Sequence, residues 1–310
     1  MTSPTDAPAG LAAPSAAAPA VSLRGLGAAL ATVVSWASAF VAMRVAVRSY
    51  PPEEVAVLRF LSAGLALGLF AIGTRMRLPA RRDLWRFAAL GLVGHALYNL
   101  ALALGQAKVP AATAGFLIAS APIFMLLIAA LLGQERPTAL GGAGMLLSFA
   151  GVGLIAAGRG ARLSFDPAAL ILLAAAALQA AYSMGQRPLL ARYSAMQVST
   201  FAAVSALAWL SPFAPGALAR AAHVPLRHTA AALFLGLVPT AIGYSTWSVT
   251  LRYLRPTAAG SFLYLVPAVV VGLAWALLGE VPGVAALAGG GLVVAGVVVV
   301  QRLGRAPAPR

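Results

Sequence analysis

The chain has 310 residues, of which 61% are hydrophobic and only 9% charged, whereas an ordinary soluble domain has about 25% charged residues. So few ionisable side chains cannot cover a water-exposed surface, which excludes a soluble globular protein. The net charge of +15 would favour nucleic-acid binding in a soluble protein, but here the arginines fall between apolar runs, as in the loops of membrane proteins. We therefore expect contact with a lipid bilayer and none with nucleic acid.

Residues 1–22 are rich in Ala, Pro and Ser and show no helical apolar period, which predicts a disordered N-terminal tail. Ten apolar segments of about 19 to 24 residues follow, each close to the roughly 20 residues that cross a bilayer as a helix. They are residues 25–47, 55–73, 84–105, 110–132, 138–157, 168–186, 196–214, 229–250, 256–279 and 283–301. Residues 303–310 are a C-terminal tail. The sequence predicts an all-α integral membrane protein with ten transmembrane helices, although the weaker sixth and seventh segments also suit a re-entrant or peripheral helix.

The distribution of basic residues predicts the orientation. With the N-terminus inside the cell, 14 of the 22 basic residues fall in cytoplasmic segments, 6 in outer loops and 2, Arg44 and Arg59, within spans. Because Lys and Arg gather on the cytoplasmic side of membrane proteins, both termini are predicted to be cytoplasmic. We expect a multi-pass protein of the cell inner membrane.

Displaced by 145 positions, the chain matches itself without gaps at two prolines and one glutamate. The matches are Pro122 with Pro267, Glu135 with Glu280, and Pro137 with Pro282. Helix-breaking or rare residues of this kind indicate a duplication, with a first five-helix repeat over 23–160 and a second over 161–302. Since five is odd, the second repeat is expected to lie inverted in the membrane, an architecture typical of secondary transporters.

Three residue patterns stand out in the sequence, and the third occurs at equivalent positions in both repeats. They are the run from Trp36 to Phe40, the pair Pro51-Pro52 followed by Leu58-Arg59, and the blocks from Pro122 to Glu135 and from Pro267 to Glu280. Over about residues 24–302 the chain thereby resembles the EamA-type transporters of the drug/metabolite transporter superfamily. The resemblance implies ten helices, cytoplasmic termini, and export or exchange of small metabolites such as amino acids and their relatives.

Polar residues within the spans fall on single helix faces, and a polar group in hydrocarbon is costly unless it has a partner or meets water. In the third span His95, Asn99 and Gln106 form one stripe, and similar stripes run along the sixth, eighth and ninth spans. We expect these faces to converge on a central, partly hydrated cavity. The residues predicted to bind substrate there are His95, Asn99, Gln179, Tyr182, Tyr244, Trp247 and Tyr264.

Other interpretations of these residues stay open. The polar side chains would also serve as interhelical hydrogen bonds, which are worth about 0.6 kcal/mol each on average. Pro122, Pro239 and Pro267 are predicted to kink their spans, either as hinges or only as packing features. Arg44 and Arg59 either snorkel to the outer interface or attract anions at an outward vestibule.

The predicted function is secondary transport of a small-molecule solute, as an exporter of small metabolites such as amino acids that works by alternating access. No acidic residue lies at mid-span, which favours facilitated movement over proton-coupled antiport of drugs or other organic solutes. That antiport is one alternative, and a non-transporting membrane scaffold or receptor is another. We expect a monomer or a homodimer.

A membrane-embedded enzyme is a rival class that the sequence disfavours. Cysteine is absent, and the three histidines lack the HExxH spacing of metal hydrolases. No acidic residue lies deep enough in a span to orient His95 as a catalytic base. We accordingly expect no covalent chemistry, no metal and no cofactor.

Overall fold

A computed structural model describes residues 23–133, 136–157, 167–253, 262–263, 265–303 and 305–306. Over these residues the protein is helical, apart from one antiparallel pair of two-residue strands, β1 (Arg136–Pro137) and β2 (Arg305–Ala306). We number the helical segments in chain order. They are α1 Leu23–Ala46, α2 Pro52–Gly73, α3 Arg81–Lys108, α4 Ala111–Leu131, α5 Ala139–Ala157, α6 Pro167–Leu190, α7 Ala195–Ala221, α8 226–253, α9 Leu265–Leu278 and α10 Val284–Leu303.

Five of these segments are built from shorter pieces. The pieces are Arg81–Asp83 (3-10), Leu84–Leu90, Gly91–Leu97 (π) and Tyr98–Lys108 in α3; Ala111–Ile118 and Ala121–Leu131 in α4; Pro167–Gly185 and Arg187–Leu190 in α6; Ala195–Leu210, Ser211–Phe213 (3-10) and Ala214–Ala221 in α7; and Leu226–Leu235, Gly236–Ile242 (π) and Gly243–Tyr253 in α8.

Most of the helices have the length and composition of membrane spans. Among the described residues, α1 to α4 and α6 to α8 are long and apolar enough to cross a bilayer, and α5, α9 and α10 contain shorter apolar helices. The prediction of an all-helical membrane protein is therefore confirmed. The predicted N-terminal tail lies outside the described residues, as do Glu135 and the start of the ninth predicted span, 256–279. Of the predicted C-terminal tail, the structure describes Leu303 and β2.

Helix starts follow from local sequence. Pro52 opens α2, where its missing N–H costs nothing, and Glu53 and Glu54 complement the positive end of the helix dipole. At the start of α7, Ser194 and Gln197 form a reciprocal capping box. These signals set where α2 and α7 begin.

The two halves share an unusual backbone feature. The π-helical pieces Gly91–Leu97 and Gly236–Ile242 are separated by 145 positions, the displacement at which the sequence matches itself. The helices that follow them, Tyr98–Lys108 and Gly243–Tyr253, keep the same separation. Because π-helices are rare, their recurrence at equivalent positions indicates that the halves are built alike.

Helices α5 and α10 pack closely and run in opposite directions. The β1–β2 pairing places Arg136 beside Ala306, and farther along Ser148 Oγ donates to the carbonyl of Val293 at 3.0 Å. A methyl group on Gly151 would lie 2.5 Å from the carbonyl oxygen of Gly289, so the glycine permits this approach. The start of α5 therefore lies at the end of α10.

One apolar core unites the halves. Helix α1 packs against α8, α3 against α6, and α2 against both α7 and α8. The buried core accordingly mixes side chains from both sides of the repeat boundary, including Met43, Phe60, Leu117, Leu172 and Leu235. Neither half buries its apolar core alone, and the two halves pack against each other along the middle of the bundle.

Ion pairs lie at the ends of the helices. Arg44 Nε is 3.0 Å from Glu280 Oε1, and Arg220 Nε is 2.7 Å from Glu54 Oε2. At the other end of α2, the Asp83 carboxylate accepts hydrogen bonds from Arg192 at 2.9 and 3.1 Å. This segregation leaves the interior with few charged groups, as a hydrocarbon surrounding requires.

Candidate site: a cavity between the two halves

A cavity of about 290 Å³ lies between the halves, with walls from α1 to α4 and from α6 and α8 to α10. Ligand pockets start at about 300 Å³, so the volume suits a small organic molecule. Most of the wall is apolar. The lining side chains with polar atoms are Trp36, Arg59, Tyr98, Gln179, Ser183 and Tyr244.

The π-helical piece of α8 forms one wall. Pro239 removes a backbone donor there, and side chains of α1 bind carbonyls that the irregular helix presents. Ser35 Oγ donates to the carbonyl of Val238 at 2.8 Å, and Trp36 Nε1 donates to that of Pro239 at 3.1 Å. Thr240 Oγ1 donates to the carbonyl of Leu235 at 3.0 Å. The proline bend is therefore held by the first half of the chain.

Among the described side chains that line the cavity, Arg59 is the only one that carries a charge. It lies in α2, is 8% exposed, and donates from Nε to Thr240 Oγ1 at 3.2 Å. Its guanidinium also lies 5.8 Å from the ring of the neighbouring Phe60. Within the described residues, no acidic side chain pairs with it. Arg59 thus gives this cavity a positive charge.

Aromatic rings border the cavity. The Trp36 ring packs edge-on against Tyr244 at 5.7 Å and tilts against Trp247 at 5.6 Å, measured between centroids. Trp36 comes from the first half and the other two from α8, so the ring contacts cross the seam. Rings in such contacts are rigid, apolar walls with polar edges.

A second aromatic cluster lies around His95. The His95 ring lies 5.3 Å from Phe60, 5.0 Å from Tyr182 and 6.1 Å from Tyr244. Asn99 Nδ2 donates to the backbone carbonyl of His95 at 2.7 Å. His95 Nε2 and Asn99 Oδ1 are buried and have no hydrogen-bond partner among the described residues.

The predicted substrate-binding residues differ in their position relative to the cavity. Gln179 and Tyr244 line the cavity. His95, Asn99 and Tyr182 are 2%, 1% and 2% exposed and are not among the lining residues. Trp247 contacts the lining residue Trp36, and Tyr264 lies outside the described residues.

All three predicted kink prolines line the cavity. Pro122 follows the break between the two pieces of α4, Pro239 lies inside the π-helical piece of α8, and Pro267 lies near the start of α9. The structure thus places the break in α4 and the π-helical piece of α8 beside the same cavity, together with the start of α9.

Several lining residues, among them Trp36, Arg59 and Tyr98, are not among the predicted substrate-binding residues. Arg59 was given an outer position, whereas Trp36 and Tyr98 were given no role in binding. A signal existed for Trp36, which lies in the motif from Trp36 to Phe40, and for Tyr98, which is adjacent to Asn99. The place of Arg59 at the cavity was not predicted, because distance from a helix end does not reveal which face of the helix is covered.

The chain is similar to known proteins over most of its length. The model of the EamA-like transporter family matches it twice, over residues 23–157 and 166–302. A protein named "probable terminal-alkyne amino-acid exporter", from Streptantibioticus cattleyicolor, is 38% identical over 276 residues, which cover 88% of this chain and 93% of the relative. The transporter YdfC of Bacillus subtilis is 32% identical over 262 residues, covering 84% and 86%.

A solved crystal structure shares the fold, with a TM-score of 0.60 at 23% identity, and the match covers 92% of this chain and 97% of that one. The twofold family match confirms the duplication that the sequence predicts, and with it the predicted resemblance. With membrane-span helices and matches at both halves, the chain belongs to the EamA-like transporter family and is a multi-pass membrane transporter, not an enzyme.

Proposed function

We propose that the protein is a secondary exporter of small amphipathic metabolites of the amino-acid class. The solute occupies the cavity between the two halves and crosses the membrane by alternating access. The observation that carries the proposal is the cavity itself, because its polar wall residues come from both halves. The name of the Streptantibioticus cattleyicolor relative supports the substrate class, and terminal-alkyne amino acids are therefore included among the test solutes.

The proposal includes ten spans, two inverted repeats, 23–160 and 161–302, and cytoplasmic termini. The opposed directions of α5 and α10 support the inversion, because these helices occupy equivalent positions in the two repeats. Inverted repeats let two similar halves exchange conformations around a fixed midplane site. The recurring π-helical pieces support this symmetry, because both halves have irregular backbone at equivalent positions.

The mechanism proposed is movement down a substrate gradient. Among the described residues that line the cavity there is no carboxylate to carry a proton. We expect export from proteoliposomes to follow the solute gradient with little dependence on an imposed pH gradient. Export that rises steeply with the pH gradient, and loses this dependence in His95→Gln, would instead establish proton coupling.

Filling the cavity tests the proposed transport route. Ala119 lines the cavity at the break in α4, so Ala119→Phe places a ring in the solute's space. The matched control is Ala31→Phe on the exposed side of α1. Proteoliposomes loaded with L-leucine, L-phenylalanine, L-propargylglycine and small amines should export at least one solute, and Ala119→Phe should reduce that flux at least about tenfold.

Folding is checked by size-exclusion chromatography and thermal unfolding of both purified variants. Equal flux through correctly folded Ala119→Phe and wild-type protein would contradict the cavity as the route. Wild-type protein that moves none of the amino acids would contradict the substrate class.

A further inference from the structure

We propose that Arg59 is the binding residue for the carboxylate of the transported solute, so that the protein selects small organic anions or zwitterions with an apolar side chain. This inference rests on the proposed function and deepens it. The site consists of the Arg59 guanidinium, its partner Thr240, and the apolar and aromatic cavity walls.

The charge of Arg59 is not compensated within the described structure. The described acidic residues Glu54, Asp83 and Glu280 pair with other arginines, and Glu53 lies in the first turn of α2. Burying a charge without a counter-ion destabilises a folded protein, because the lost hydration of the charge is not repaid by a partner. An anion that binds there would supply the missing counter-charge.

The hydrogen bond to Thr240 orients the guanidinium. Thr240 Oγ1 donates to the carbonyl of Leu235 and therefore presents a lone pair to Arg59 Nε. Neither terminal nitrogen of Arg59 has a hydrogen-bond partner among the described residues. Two parallel N–H donors in one plane match a carboxylate, which a guanidinium binds with both oxygens.

The rest of the cavity suits the body of an amphipathic solute. Gln179 and Ser183 from α6 offer polar atoms across the seam, and Ser183 Oγ already donates to the backbone carbonyl of Gln179 at 2.8 Å. The remaining wall is mainly aliphatic and aromatic. A carboxylate held at Arg59 thus leaves an apolar side chain in contact with both halves of the protein.

Binding is tested with probes that differ only in the carboxylate. Purified full-length protein is heated with L-leucine, L-phenylalanine or L-propargylglycine, and with the methyl ester and the amino alcohol of each. Wild-type protein should be stabilised by at least one amino acid and not by its ester or alcohol. Arg59→Gln should lose this stabilisation, while the exposed control Arg48→Gln should keep it.

Transport kinetics separate binding from folding. In proteoliposomes, Arg59→Gln should raise KM for the transported amino acid about tenfold or more. Arg59→Lys should give a KM between those of wild type and Arg59→Gln, since lysine keeps the charge but lacks the planar pair of N–H donors. The unliganded Arg59→Gln protein should unfold at the same temperature as wild type or a higher one. A purely structural arginine would instead lower that temperature.

The outcomes distinguish the two proposals. If wild type transports amino acids but the esters compete equally and Arg59→Gln keeps the wild-type KM, the carboxylate site is overturned and the proposed function stands. If wild type neither transports nor is stabilised by any of the amino acids, both proposals fail.

Discussion

Glu280 connects three segments at one end of the bundle. Its carboxylate accepts hydrogen bonds from Arg44 Nε at 3.0 Å and from the Ala111 backbone N–H at 2.9 Å. Arg44 also donates to the carbonyls of Gln106 at 2.7 Å and Ala107 at 3.1 Å. The pair therefore satisfies open backbone groups at the end of α3 and the start of α4, and holds α1 and α9 against them.

Neutralising Glu280 should loosen this end of the bundle. The two side chains are 18% and 23% exposed, so solvent screens their attraction only in part. We expect Glu280→Gln to cost about 1–2 kcal/mol of stability, measured as a lower unfolding temperature of the purified protein.

A double-mutant cycle with Arg44→Gln identifies the cause. If the pair acts as a unit, the two substitutions should couple by about 0.5 kcal/mol or more. Fully additive effects would show that Glu280 acts through Ala111 alone.

At the residue scale, the sequence indicated which faces are polar but not what covers them. Gln106 belongs to the same predicted stripe as His95, yet it is fully buried and its Nε2 donates to the Phe40 carbonyl at 2.9 Å. Gln179 lies on a comparable stripe and reaches the cavity. Whether a polar face meets a neighbouring helix or a cavity depends on packing between distant segments, which spacing along one helix does not encode.

At the element scale, the irregular helices are the feature that the sequence pattern left undetected. In a π-helical piece each backbone hydrogen bond reaches one residue farther along the chain than in an α-helix, which rotates the side chains that follow. Because these helices are apolar on all sides, the hydrophobic pattern does not reveal that rotation. Pro239 gave a signal for a bend in α8, but Gly91–Leu97 in α3 contains no proline. Its irregularity became visible only in the structure.

The glycines of α5 provide a test of helix packing. Gly151→Ala would place a methyl group 2.5 Å from the Gly289 carbonyl oxygen, so α5 and α10 must separate. We expect a loss of about 1–3 kcal/mol, seen as a lower unfolding temperature. Gly153→Ala on the same helix meets nothing within 4 Å and should be neutral or stabilising by up to about 1 kcal/mol. Equal unfolding temperatures for the two variants would contradict this packing.

At the scale of the whole molecule, the duplication was predictable because rare residues marked it. Glutamates and helix-interior prolines are few in this chain, so their match at one displacement stood out against the abundant Ala and Gly. The twofold family match confirms that interpretation. The position of the cavity could not be predicted in the same way, because it depends on how α1 packs against α8 and α3 against α6.

The account depends on two equivalent halves that lie inverted around the cavity, and cysteine labelling tests this most directly. The chain has no cysteine, so Ala139→Cys and Val284→Cys each introduce a single thiol at the exposed first residue of α5 and α10. In intact cells a membrane-impermeant maleimide should label Val284→Cys, whereas Ala139→Cys should react only after permeabilisation. Labelling of both positions from the same side of the membrane would contradict the inverted architecture.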